Sequence, residues 1–178
     1  MLSTSTPVNT TIATRTYGHP LNFGPRATGA IDFYLQDKNS ENNDVNFVAP
    51  TQVKVVDIGF QPGVGGNWIL VEVLEGFGSN LESKHNLNKG DEIFIAHARS
   101  SQAGTNGYTG YDWPVKVGDV ISAGNPLGRQ HTTSSYRDHV DGGNGMHLHV
   151  EVRRNRANIL QSDMVKIYDT ILSTGLAN

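Results

Sequence analysis

Hydrophobic and polar residues alternate along several short runs of this chain, and glycine-rich or polar stretches separate the runs. The clearest lies at 145–153, where Leu148, Val150 and Val152 interleave with His147, His149, Glu151 and Arg153. Side chains two apart on a strand leave the same face. This pattern therefore predicts a strand that is apolar on one side and carries two imidazoles, a carboxylate and a guanidinium on the other. Further strands are predicted at Val53 to Ile58, Trp68 to Leu74, Glu92 to Ala98, Val115 to Val117 and Val120 to Ser122. The run from Glu92 to His97 is apolar enough along its middle to be largely buried. Val117-Gly118-Asp119-Val120 and Ala123-Gly124-Asn125-Pro126 carry turn chemistry. Short strands with turns and no intervening helices predict a mainly β fold: an antiparallel sheet, sandwich or open barrel.

One helix is predicted, at about 162–174. Ser162 suits the N-cap, Asp163 the positive end of the helix dipole, and Gly175 the C-terminal stop. Met164, Ile167, Tyr168, Ile171 and Leu172 then form an apolar stripe at helical spacing, so the helix packs on a core. Three polar loops, Glu75 to Gly90, Ser100 to Trp113 and Gln130 to Asn144, have the length of functional rims around a site. Residues 1–16, rich in Ser and Thr, read as an extended arm, and residues 17–178 as one domain without internal repeats.

Composition narrows the chemistry. The chain has 178 residues, enough for one domain with a proper core, and 37% of them are hydrophobic, as in a soluble globular protein. Its formal net charge of −3 argues against a nucleic-acid partner. The basic run Arg153-Arg154-Asn155-Arg156 reads as a solvated strand end. There is no cysteine, so thiol catalysis and disulfides are excluded and any metal must sit on His, Asp or Glu. No apolar run approaches a membrane span, and the first residues lack the basic and apolar regions of a signal peptide.

An ordered set of segments adds to this. Gly29-Ala30-Ile31-Asp32-Phe33 precedes Phe47-Val48-Ala49-Pro50 and Gly65-Gly66-Asn67-Trp68-Ile69-Leu70-Val71. Then come Phe94-Ile95-Ala96-His97, the stretch Val115 to Gly128, and His147-Leu148-His149. Taken in this order over roughly Gly18 to Arg153, the set resembles the lysostaphin-type zinc metalloendopeptidases, which cut peptide bonds in bacterial peptidoglycan. The resemblance implies an open, antiparallel β core with long polar loops. It also implies that Asp32 and His149 are zinc ligands, that His147 helps to activate the attacking water, and that His97 stabilises the tetrahedral intermediate. Zinc brings the pKa of bound water to about 7, where an imidazole can move its proton.

This sequence departs from the family at one ligand. The family's HxxxD motif has its histidine four residues before the aspartate, and here that position is Thr28, in Arg26-Ala27-Thr28-Gly29. A threonine hydroxyl is a poor zinc ligand, and catalytic zinc normally takes three protein ligands plus water. Zinc should therefore bind weakly or not at all unless His19, His131 or His139 substitutes; these three and His85 otherwise read as solvent-exposed. Tyr108, Tyr111 and Trp113 are aromatic candidates for the rim of a substrate groove or for loop anchors. Two functions are compatible with the residues: a degenerate peptidase that binds cell-wall peptide or a protein partner, or an active endopeptidase with a substitute ligand. A structural role within a phage-like or secretion assembly belongs to the first and would deliver the protein without a signal peptide. The stretch Val115 to Gly128 also resembles a lipoyl- or biotinyl-type hairpin, but it lacks the modifiable Lys at a hairpin tip.

Overall fold

Alternation and cross-strand pairing account for most of the architecture. The computed structural model describes residues 30–33, 46–61, 66–78, 82–98, 113–129, 148–160, 163–164 and 166–167. Among these residues nine strands follow in chain order: β1 (Ala30–Phe33), β2 (Asn46–Val48), β3 (Val53–Gln61), β4 (Gly66–Val73), β5 (Glu92–Ala98), β6 (Val120–Ile121), β7 (Pro126–Arg129), β8 (Leu148–Arg154) and β9 (Ala157–Asn158). The main sheet runs β1-β8-β5-β4-β3-β6, with β9 paired to β8, while β2 and β7 form a second, two-stranded sheet. Every pairing among these strands is antiparallel, as the short strands and tight turns predict.

Register places the β-branched residues opposite one another. Val53 faces Val73, Val55 faces Val71, Val71 faces Ile93, and Ile93 faces Val152. Opposed residues share a sheet face, so these side chains form one apolar layer. All of them are buried, and the layer is completed by Leu148 of β8, Phe47 and Leu127 of the small sheet, Leu87, Ile159, Met164 and Ile167. The other face carries polar and aromatic rows. Lys54, Glu72, Glu92 and Arg153 lie opposite one another in sequence across four strands, and Leu70, Phe94 and Glu151 form the next row.

Two bulges adjust this alternation. On β3 the register shifts between Val55 and Asp57, which leaves Val56 exposed and returns Ile58 to the position opposite the buried Ile69. Between β4 and β5, Ile95 pairs with Ile69 while Ala98 pairs with Asn67, so β5 holds one residue more than its partner. Ala96 pairs with His149 on the polar face, whereas Ala98 is aligned with the buried Asn67.

Four expectations are corrected. Val115 to Val117 is not a strand: the Lys116 N–H bonds to the Asp119 carboxylate at 3.0 Å, and Val117 sits exposed in a turn. The described parts of the loop from Glu75 to Gly90, 75–78 and 82–90, do not rim the histidine end of β8. The loop joins β4 to the start of β5, and Asp91 beside it pairs with Arg154 at the opposite end of β8. His85, expected in solvent, is only 6% exposed and pairs with Asp163 at 3.0 Å. Nor is 153–156 a solvated run: Arg153 and Arg154 are both partly buried in ion pairs, and only Asn155 and Arg156 are exposed.

Asp163, Met164, Lys166 and Ile167 have helical backbone, with Met164 and Ile167 buried against the core. The Leu160 carbonyl accepts bonds from both Asp163 and Met164 N–H at 2.9 Å, so the turn opens two residues before the expected cap at Ser162. Ser162 itself and the rest of the predicted helix lie outside the described residues, as does the predicted arm at 1–16.

Candidate functional site

The sheet sets three of the predicted residues, Asp32, His149 and His97, on three neighbouring strands. In β1, Asp32 occupies the position directly opposite His149 of β8, and His149 in turn lies opposite Ala96 of β5. His97 is the next residue of β5, beside the point where the register shifts. Asp32 and His149 are 117 residues apart by their own numbers, so only the β1–β8 pairing makes them neighbours. Thr28, His147, Tyr108, Tyr111, His19, His131 and His139 lie outside the described residues. Trp113 is described: its ring meets Phe47 edge-on, with centroids 6.3 Å apart, and packs against the core beside Gly128. That contact is the anchoring geometry considered for it.

The imidazole of His149 is mostly buried, with 12% of the side chain exposed. Its Nε2 lies 3.1 Å from Oε1 of Glu151, two residues along the same strand face. The other oxygen of that carboxylate, Oε2, accepts from Nε of Arg153 at 3.0 Å and from its Nη2 at 2.7 Å. The Arg153 guanidinium lies over the Phe94 ring, 4.8 Å from its centroid, and Phe94 packs against Trp68 at 5.5 Å between centroids. Burial pushes the Glu151 carboxyl up, but hydrogen bonds from His149 and Arg153, with the charges of both, outweigh it and hold the group below its ordinary value.

These groups suit a metal in part. A carboxylate position and an imidazole at opposed sites of one sheet offer oxygen and nitrogen donors of the kind zinc accepts, and ligating histidines are commonly backed by a carboxylate, as His149 is. Among the described residues, however, no group of three or more His, Cys, Asp or Glu comes together. Asp32 and His149 would hold the ion, and a third donor is required beyond them.

Sequence reasoning placed Glu151 and Arg153 on the histidine face but gave them no role. The signal was the i, i+2, i+4 spacing of His149, Glu151 and Arg153, which aligns an imidazole, an acceptor and a cation on one face.

The fold has solved relatives. Lysostaphin from Staphylococcus simulans, an antimicrobial peptidase, matches with a TM-score of 0.52 at 18% identity, covering 96% of this chain and 52% of lysostaphin. The catalytic domain of the same peptidase gives a TM-score of 0.52 at 18% identity, covering 86% of this chain and 92% of the domain. A zinc-containing peptidase from Vibrio cholerae gives 0.50 at 16% identity, covering 86% of this chain and 36% of that one. The chain thus spans about half the length of whole lysostaphin. At these identities the likeness is one of fold: a mainly antiparallel β domain of the lysostaphin type. No family model and no curated protein matches the sequence.

Proposed function

We propose that this chain is a metallopeptidase-like domain directed at the peptides of peptidoglycan, with a zinc site weakened at one ligand, and that it works as a binding or structural module. The observation that carries this reading is the register of β1 on β8, which sets Asp32 opposite His149 in a lysostaphin-type fold. Thr28 stands where that family has its first histidine ligand, so the site keeps two ligand positions of three. Structural zinc sites with four good ligands are worth about 10–16 kcal/mol, and a site short of a ligand binds far more weakly. The partner is cell-wall peptide or a protein of a larger assembly, such as a phage-like or secretion device, and residues 17–178 form the module behind the arm at 1–16.

Metal analysis of the chain purified without chelator, paired with peptidoglycan co-sedimentation, tests the proposal. The expected result is substoichiometric zinc and retention on peptidoglycan without release of peptide. Stoichiometric zinc with cell-wall hydrolysis would overturn it. Thr28→His should raise zinc affinity, and no gain would show that Thr28 does not occupy the ligand position.

A second reading, an active zinc endopeptidase whose third ligand comes from His19, His131 or His139, is favoured by one observation. The carboxylate behind His149 is intact and doubly held by Arg153. Under this reading His147→Ala abolishes turnover and leaves the circular dichroism spectrum unchanged. Retained turnover would remove His147 from the chemistry.

A further inference from the structure

We infer that Glu151 is the positioning residue of His149, fixing which ring nitrogen carries the proton and how the ring is turned, and that Arg153 stacked on Phe94 holds Glu151 in place. The inference rests on the proposed reading of His149 as a ligand position. Oε2 of Glu151 already accepts two N–H groups from Arg153 and Oε1 has only acceptor capacity to offer beside them, so at the 3.1 Å contact the hydrogen belongs to Nε2 of His149. In the neutral ring the lone pair is then on Nδ1, the nitrogen through which such a ring serves as a ligand.

A single exposed carboxylate would hold a ring loosely, because such pairs contribute little and exchange with water. Here the two oxygens have separate duties. Both Arg153 N–H groups converge on Oε2, at 3.0 and 2.7 Å, so Oε1 remains directed at the imidazole. The guanidinium is fixed in turn by the Phe94 face beneath it, and Phe94 by Trp68. Trp68 lies over Gly59 of β3, where any Cβ would collide with the indole, so that end of the row is close-packed as well. The row His149–Glu151–Arg153–Phe94–Trp68–Gly59 therefore crosses four strands, and the orientation of one imidazole draws on the packing of all four.

Proton NMR of the metal-free chain with ¹⁵N-labelled histidine tests this without catalysis. A ring N–H held by a partly buried carboxylate that is itself fixed by a guanidinium exchanges slowly enough with water to be seen. The His149 Nε2–H resonance is expected in the native chain and in Glu151→Gln, whose amide oxygen still accepts. It is expected to vanish in Glu151→Ala and in Glu151→Met, which keeps length without an acceptor, so that either variant decides if the other fails to fold. Zinc titration is the second readout: the loss of Glu151 should raise the dissociation constant about 10–100-fold, with partial recovery in Glu151→Gln. Arg153→Lys, which keeps the charge but loses the fork, should fall between. A resonance and a zinc affinity unchanged in a folded Glu151→Ala or Glu151→Met would overturn the inference. A native chain that shows the proton, loses it on substitution and takes up no zinc would support the positioning role and remove the metal reading instead.

Discussion

Arg153 and Arg154 are neighbours that act on different sides of one strand. Alternation sends Arg153 to the histidine face, where it holds Glu151, and Arg154 the other way, to Asp91 and the Asn86 carbonyl. Asp91 is the more demanding partner, since its side chain is only 3% exposed and Arg154 neutralises it through two bonds of 2.8 and 2.7 Å. Removing one member of such a pair leaves a buried charge uncompensated, which costs about 3–5 kcal/mol when both are fully buried. Arg154 remains a quarter exposed, so Arg154→Ala is expected to cost about 2–4 kcal/mol by urea unfolding. Loss of less than about 1 kcal/mol would show that water solvates Asp91 in the variant. Gly128 is constrained differently. A Cβ there would come within 2.6 Å of Phe47 and 2.8 Å of Trp113, both rings and neither the end of a flexible chain. Gly128→Ala should therefore cost about 1–3 kcal/mol through overpacking, read as a lowered midpoint of unfolding.

The turn between β8 and β9 shows a local rule set against its residues. Arg154 pairs with Ala157, which leaves Asn155 and Arg156 as a two-residue loop with φ of 53° and 63°. Tight antiparallel hairpins favour this left-handed turn because its twist matches that of the strands. Asn tolerates it and Arg does not, and the strain at such a residue is about 1–3 kcal/mol. Glycine would relieve it but loses about 0.5–1 kcal/mol more backbone entropy on folding. Arg156→Gly is thus expected to stabilise the chain by about 0.5–1 kcal/mol in the same urea assay, and a net loss would mean that the Arg156 side chain makes a stabilising contact. The helical turn at 163–167 depends on a partner distant in sequence. His85 of the turn Ser83–His85 meets it, lying between Asp163 at 3.0 Å and Glu82 at 3.6 Å. His85→Ala should speed amide exchange at Met164 relative to β5, since it unfastens the turn from the loop that precedes β5.

Among the described residues the main sheet has an apolar layer on one face and polar and aromatic rows on the other. Ile69 and Leu70 are adjacent in β4 and test this directly: Ile69 is fully buried in the apolar layer, while Leu70 is partly exposed on the other side. Ile69→Ala is expected to cost about 2–5 kcal/mol, and Leu70→Ala under about half as much, by equilibrium unfolding. Equal losses would mean that both faces are sealed. Much of this was legible in the chain alone. Alternation in Val53 to Ile58, Glu92 to Ala98 and 146–153 foretold strands and their apolar sides, because a side-chain period of two is a purely local property. Met164 and Ile167, read from their spacing as core-facing, are buried in the core. Local pattern could not foretell that His85 would be buried, since that depends on Asp163, distant in sequence. The turn that replaces the strand at Val115 to Val117 rests instead on the nearby Asp119 carboxylate, a signal that the apolar alternation masked. The sequence by itself determined which residues are the candidates for chemistry, among them Asp32, His97 and His149, and that a threonine stands at position 28. Tertiary structure alone decided that Asp32 stands opposite His149, and that Glu151 rather than solvent meets the imidazole. Cross-strand register and the stacking of Arg153 on Phe94 are relations between strands, and no period within one strand encodes them.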